Sequence, residues 1–283
     1  MWRRLLLSLL LLLLLPQTFP LAADAAGPEL TAWSEDGISD ELDDDTLFVV
    51  GNTLFAVYHE LGHALVDLLH LPVIGREEDA VDGFAAVTMI PKTPDSIGDA
   101  LIVAVADGWQ AQSDVASERG ERRYWGQHAL DEQRHFAVVC LMVGSDQDGF
   151  YDYALEAGLP EERIETCLHD FRSMRNGWNN LLDPHKPEAK RSEGGTAASI
   201  DLLFDKPLPE QEGVFEQINR GGLLQDAVLG FGDSIALPSP ITIRFTICNQ
   251  ANAYWSPGER EVKVCYELIE AFQAILLDAT SLR

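Results

Sequence analysis

With 46 acidic against 20 basic side chains among 283 residues, and a formal net charge of −26, this chain repels polyanions, which argues against nucleic acids and anionic lipid surfaces as partners. Hydrophobic residues make up 46 %, and the length suffices for one large domain or two small ones around a substantial core. The charge favours solubility and says little about substrate.

Residues 1–25 read as a secretory signal peptide. Arg3 and Arg4 precede a leucine-dominated run ending at Pro16, and Ala23-Asp24-Ala25 offers a small-x-small cleavage site. The apolar run is short for a bilayer span. Export is therefore expected, to the periplasm or the medium, without stable membrane insertion after cleavage. Residues 26–43 follow as an acidic, flexible lead-in, and 44–283 as one domain.

The domain opens with an acidic stretch and then places Leu47, Val50, Leu54, Val57, Leu61, Leu65 and Leu68 at helical spacing. This predicts one long helix over about 45–70, stopped by Leu71-Pro72 because the residue before proline avoids helical geometry. Further helices are predicted over 76–90, 95–119 and 124–144, with two shorter ones in 149–158 and 160–182. Residues 183–199 have the composition of a surface loop. "ITIRFTIC" (241–248) and "EVKVCY" (261–266) alternate in strand fashion around Pro257-Gly258, so 241–266 reads as a hairpin. A helix over 267–279 closes the chain. The fold class is α+β, mainly α.

Four cysteines allow three pairings. In an oxidising compartment disulfides are expected, and the local pairing, Cys140–Cys167 with Cys248–Cys265, brackets two self-contained segments. C-x-x-C spacing is absent, which argues against a zinc–thiolate site.

The long helix carries H-E-x-x-H at His59, Glu60 and His63. Positions i and i+4 share a helix face, so both imidazoles can reach one metal ion. Zinc suits nitrogen and oxygen donors, and Glu60 beside the first histidine suits a general base acting on a zinc-activated water. Gly62 costs about 1 kcal/mol inside a helix, which points to close approach of another backbone. Glu77, Glu78 and Asp79 follow in the next helix. There Glu78 shares a face with Asp82, making Glu78 the expected third ligand and Asp82 its neighbour, with Glu77 pointing roughly 100° away. Asp67, four residues after His63, is placed to accept an imidazole N–H.

"HELGHALVD" resembles the active helix of thermolysin-type zinc peptidases. "EDAVDGFAAVTMIP" resembles the metal-binding helix of antirepressor-type bacterial zinc peptidases, in which the leading glutamate, Glu78 here, binds metal and Asp82 takes the Asn/Asp position. This chain has Val81 for alanine and a shorter histidine-to-glutamate spacing, which keeps Asp79 as an alternative ligand. "LPVIGREEDAVDGFA", "HALDEQRHFAVVCLMVGSD" and "NAYWSPGEREVKVCYEL" together resemble a family of exported bacterial proteins described as metallopeptidases. The resemblance implies a zincin-like zinc hydrolase of the two-His-one-Glu type acting on a peptide or protein. "NAYWSP" is similar to the substrate-binding strand of neprilysin-type peptidases, which implies that Asn252 and Ala253 bind the substrate backbone. His128, expected on one helix with Asp131, Glu132 and His135, is a candidate for stabilising an oxyanion, as a downstream histidine does in many zincins; a hydrogen-bonding role on the helix surface is the plainer reading. Two other functions fit the same residues: a non-catalytic zincin-fold binding module, marked by a closed fourth zinc position, and an amidase acting on a non-protein amide, marked by the absence of a long groove beside an edge strand.

Overall fold

The structure, a computed structural model, describes residues 42–94, 96–188 and 199–281. The expected signal peptide, nearly all of the lead-in and most of the 183–199 loop lie outside the described residues. Helix α1 (Asp44–Leu69) begins where Asp43 accepts a hydrogen bond from the Thr46 amide, with Asp44 and Asp45 in the first turn, placing negative charge at the positive end of the helix dipole. It ends at His70, whose left-handed backbone (φ 51°) closes the last turn ahead of Leu71-Pro72.

Helix α1 is the axis of the fold. Residues 48–55 are all buried in an unbroken run, more than two full turns, so the helix is enclosed nearly all round. Helices α2 (Glu77–Met89) and α3 (Ser96–Glu118) pack against it, and α4 (Asp131–Ser145), α5 (Gln147–Glu156) and α6 (Glu161–Leu182) extend that layer. The Cys140–Cys167 disulfide joins α4 to α6. After a short 3₁₀ turn at Asp183–His185, strand β1 (Ile200–Phe204), helices α7 (Glu212–Asn219) and α8 (Leu223–Ser234), strands β2 (Ile241–Thr246), β3 (Ala253–Ser256) and β4 (Glu261–Cys265), and helix α9 (Tyr266–Ser281) complete the order.

The sheet runs β1-β2-β4-β3. The β1–β2 and β2–β4 pairs are parallel and only β3–β4 is antiparallel. The expected hairpin over 241–266 is therefore smaller: β3 and β4 form it, and the 241–246 strand pairs with β4 in parallel. Buried positions alternate along β2, which is why its periodicity was legible while its partner was not. Cys248, just past β2, is bonded to Cys265 at the end of β4. Helix α4 also differs from expectation. It starts at Asp131, seven residues late, and Leu130 N–H is taken by Gln133 Oε1, so 121–130 stays irregular and carries His128 off the helix. His128 and Glu132 thus share no helix face.

Candidate metal centre and active site

Two features bring α2 onto the histidine face of α1. Its first turn holds Glu77, Glu78 and Asp79 at the positive end of the helix dipole. Gly62 provides the close approach: a Cβ there would sit 2.8 Å from Cβ and Cγ1 of Val81 and 3.2 Å from Cδ1 of Phe84. The approaching atoms are side chains of α2, not another backbone.

Across this contact, His59 Nδ1 lies 2.7 Å from Asp82 Oδ1 and His63 Nδ1 lies 2.7 Å from Glu77 Oε1. Asp82 also receives a bidentate pair from Arg134, Nε at 2.7 Å and Nη2 at 2.5 Å, and the guanidinium stacks 3.5 Å over the Trp109 ring. A carboxylate so held can only accept, so His59 Nδ1 carries the hydrogen. In the neutral tautomer His59 Nε2 then presents a lone pair, and the same reasoning from Glu77 applies to His63.

Both Nε2 atoms lie close to one oxygen. Glu78 Oε2 is 3.2 Å from His59 Nε2 and 3.3 Å from His63 Nε2, and His128 Nε2 is 2.9 Å from it. Ligand atoms of His59, Glu78 and His128 lie within 4.8 Å of one another. Lone pairs facing lone pairs require positive charge between them, from protons or from a metal ion. The titration shifts carry that demand. Burial opposes charge on His59, but the carboxylates of Asp82 and Glu78 outweigh it and raise its pKa to about 9. The His59 hydrogen bond, with His128 and His63 nearby, holds Glu78 at about 2 despite partial burial. Burial pushes Asp82 up, yet His59 and Arg134 bring it to about 2. A set of imidazole nitrogens and one carboxylate, with His59 and His63 each oriented by a further carboxylate, fits zinc.

Glu60, one residue beyond His59, is buried, and burial raises its pKa against the pull of His59 and His63. Its Oε2 accepts the backbone N–H of Trp255 at 2.8 Å. Helix and sheet edge are also joined by the Trp255 indole, which donates to Asp67 Oδ2 at 3.1 Å. Asp67 therefore does not orient an imidazole; Glu77 does that for His63. Asn252 and Ala253 line the same open cleft of about 700 Å³ as His59, Glu60, His63, Glu78 and His128. Strand β3 is the sheet edge there. Asn252 O accepts from Cys265 N on the β4 side, so Ala253 and Trp255 turn their backbone groups to the free side. Asp79 lines a different cleft of about 690 Å³, between α2, α4 and α6. Cys248, Cys265 and Glu267 also cluster, but the two sulfurs are spent on the disulfide.

Sequence reasoning missed Glu77, Arg134 and Trp255. For Glu77 the helical phase was right and the conclusion incomplete: a side chain 100° from Glu78 reaches the other nitrogen of the same imidazole.

Histidine and carboxylate donors converging in an open cleft are what a metal-dependent hydrolase requires. The chain belongs to the family DUF4344, described as "Putative metallopeptidase", whose model matches residues 29–182 and 206–281. No curated protein and no solved structure matches it.

Proposed function

We propose that this protein is an exported zinc peptidase, with His59, His63 and Glu78 holding the metal. The observation that carries the reading is the convergence of two clamped imidazoles on one Glu78 oxygen beside the buried carboxylate of Glu60. Bound there, zinc supplies Lewis acidity, polarising a carbonyl and bringing the pKa of a water to about 7.

The chain's own residues do the rest. Asp82 and Glu77 keep both Nε2 atoms aimed at the centre, and Arg134 keeps Asp82 ionised. Glu60 Oε2 is occupied by the Trp255 N–H, so Oε1 takes the proton of the attacking water and later gives it to the departing amine. Burial lifts the Glu60 pKa and so strengthens its hold on that proton. An extended peptide adds to the free edge of β3, its backbone meeting Ala253 and the Asn252 side chain standing next to it. The two disulfides suit an oxidising compartment, and no helix among the described residues is long and apolar enough to cross a membrane.

The test is a peptide-library digestion by zinc-loaded protein, wild type against Glu60→Gln, with metal analysis of both. Wild type should cleave, and Glu60→Gln should fall by at least about 10²-fold, the scale of general-base catalysis, with zinc still bound at one equivalent. Full zinc loading with no cleavage by wild type, or equal cleavage by the variant, would overturn the reading.

A further inference from the structure

His128 differs from the other two histidines in a way that assigns it a separate task. Its Nε2 is nearer Glu78 Oε2 than either of theirs, 2.9 Å against 3.2 and 3.3 Å. Its ring stacks on that of His59, centroids 5.8 Å apart at an interplanar angle of 29°. It therefore stands among the donors, not at their margin. Its attachment is another matter. His59 and His63 project from the buried central helix, and each is clamped at Nδ1 by a carboxylate. His128 sits on the irregular stretch 121–130 and its side chain is 50 % exposed, against 7 % for His59 and 18 % for His63. Among the described residues, no hydrogen-bond partner holds its Nδ1.

We propose that His128 is a fourth, displaceable protein ligand of the metal, so that the site rests closed with three imidazoles and Glu78 and opens when His128 withdraws. This rests on the zinc reading above. Four protein donors fill the tetrahedral set typical of closed zinc sites, whereas hydrolysis needs one position for water. Opening breaks only the bond from His128 Nε2; the freed lone pair returns to solvent and water enters, with no change in oxidation state. The ligand set is thus graded by anchoring: two histidines cannot leave without breaking α1–α2 contacts, and one can.

X-ray absorption of the zinc-loaded protein, which counts imidazoles per zinc, tests the coordination directly. Wild type should show three, and His128→Ala and His128→Gln should each show two. Zinc affinity, measured by competition with a chelating dye, should fall in both variants by at least about tenfold, the lower end of what losing even an outer-shell partner costs. On any peptide the wild type cleaves, the variants should turn over faster, because a position is opened. Thermal melts check that the variants fold, and His128→Gln serves should the alanine variant fail. Two imidazoles in wild type would overturn the inference and leave the peptidase reading intact. Three imidazoles with slower turnover in the variants would overturn the closed-site role. A wild type that binds no zinc would fail the function proposed above before the histidine count arises.

Discussion

Gly62→Ala is a small change with a large expected reach. The new Cβ would lie 2.8 Å from Cβ and Cγ1 of Val81, and carbon pairs settle at about 3.5–4.0 Å, so α2 must retreat by roughly 0.7 Å. Val81 Cβ is fixed to its backbone and cannot swing aside. Alanine gains about 1 kcal/mol of helix propensity over glycine, while overpacking costs about 1–3 kcal/mol, leaving a net loss of up to about 2 kcal/mol. For a domain of this size that lowers the melting temperature by roughly 2–4 °C per kcal/mol. The effect on the metal is larger. Retreat of α2 stretches the 2.7 Å contact between His59 and Asp82 toward roughly 3.4 Å, beyond ordinary hydrogen-bond reach, and moves Glu78 with it. Zinc affinity should fall by roughly 10–100-fold. The assay is a zinc competition titration beside thermal melts followed by circular dichroism. Gly62→Ala/Val81→Gly, which moves the glycine across the contact, should recover zinc affinity even though stability does not recover. Refutation would be a Gly62→Ala protein that gains about 1 kcal/mol, as propensity alone predicts, and binds zinc like wild type.

Arg134→Gln removes the bidentate partner of Asp82 and should weaken zinc binding by roughly 10–100-fold through the loosened His59; Arg134→Lys should recover part of that in the same titration. Asp43→Ala removes the cap of α1 and should cost about 1 kcal/mol in urea unfolding at pH 7. The Asp43 carboxylate is held below its ordinary value of 3.8, chiefly by the Thr46 side chain and amide. The stabilisation is therefore present above the unfolded pKa and is lost as pH falls through the folded one. Wild type and Asp43→Ala should converge in unfolding midpoint as pH falls below 3.8, the side chain being largely exposed and the effect correspondingly modest.

Local periodicity carried the helices well. The expected 45–70 helix appears as Asp44–Leu69, and the second and third lie within a few residues of expectation, because i, i+3, i+4 burial is written in neighbouring residues. Helical phase likewise brought Glu78 and Asp82 to the same side of α2. What stayed illegible depends on distant partners. Arg134 meets Asp82 across 52 residues and Trp255 meets Glu60 across 195, and no window of sequence contains both members of either pair. The parallel pairing of β2 with β4 is of the same kind: alternation announces a strand but not its neighbour. The late start of α4 has another cause, since residues 121–130 leave helical geometry and the first turn is capped by Gln133.

The hydrogen bond from Trp255 to Glu60 also sets a measure along the sheet edge. On the free side of β3, Ala253 and Trp255 face outward, and the Trp255 N–H is already engaged. A chain laid antiparallel or parallel along this edge can pair with Ala253 but finds no donor two residues further on. Such a ladder would lack one hydrogen bond at the point where Trp255 meets Glu60. In the proposed peptidase the engaged amide would act as a stop on a ruler, fixing the register of an incoming backbone relative to the Glu60 carboxylate. Cleavage position would then be counted from the strand, leaving side-chain preference to the walls of the cleft.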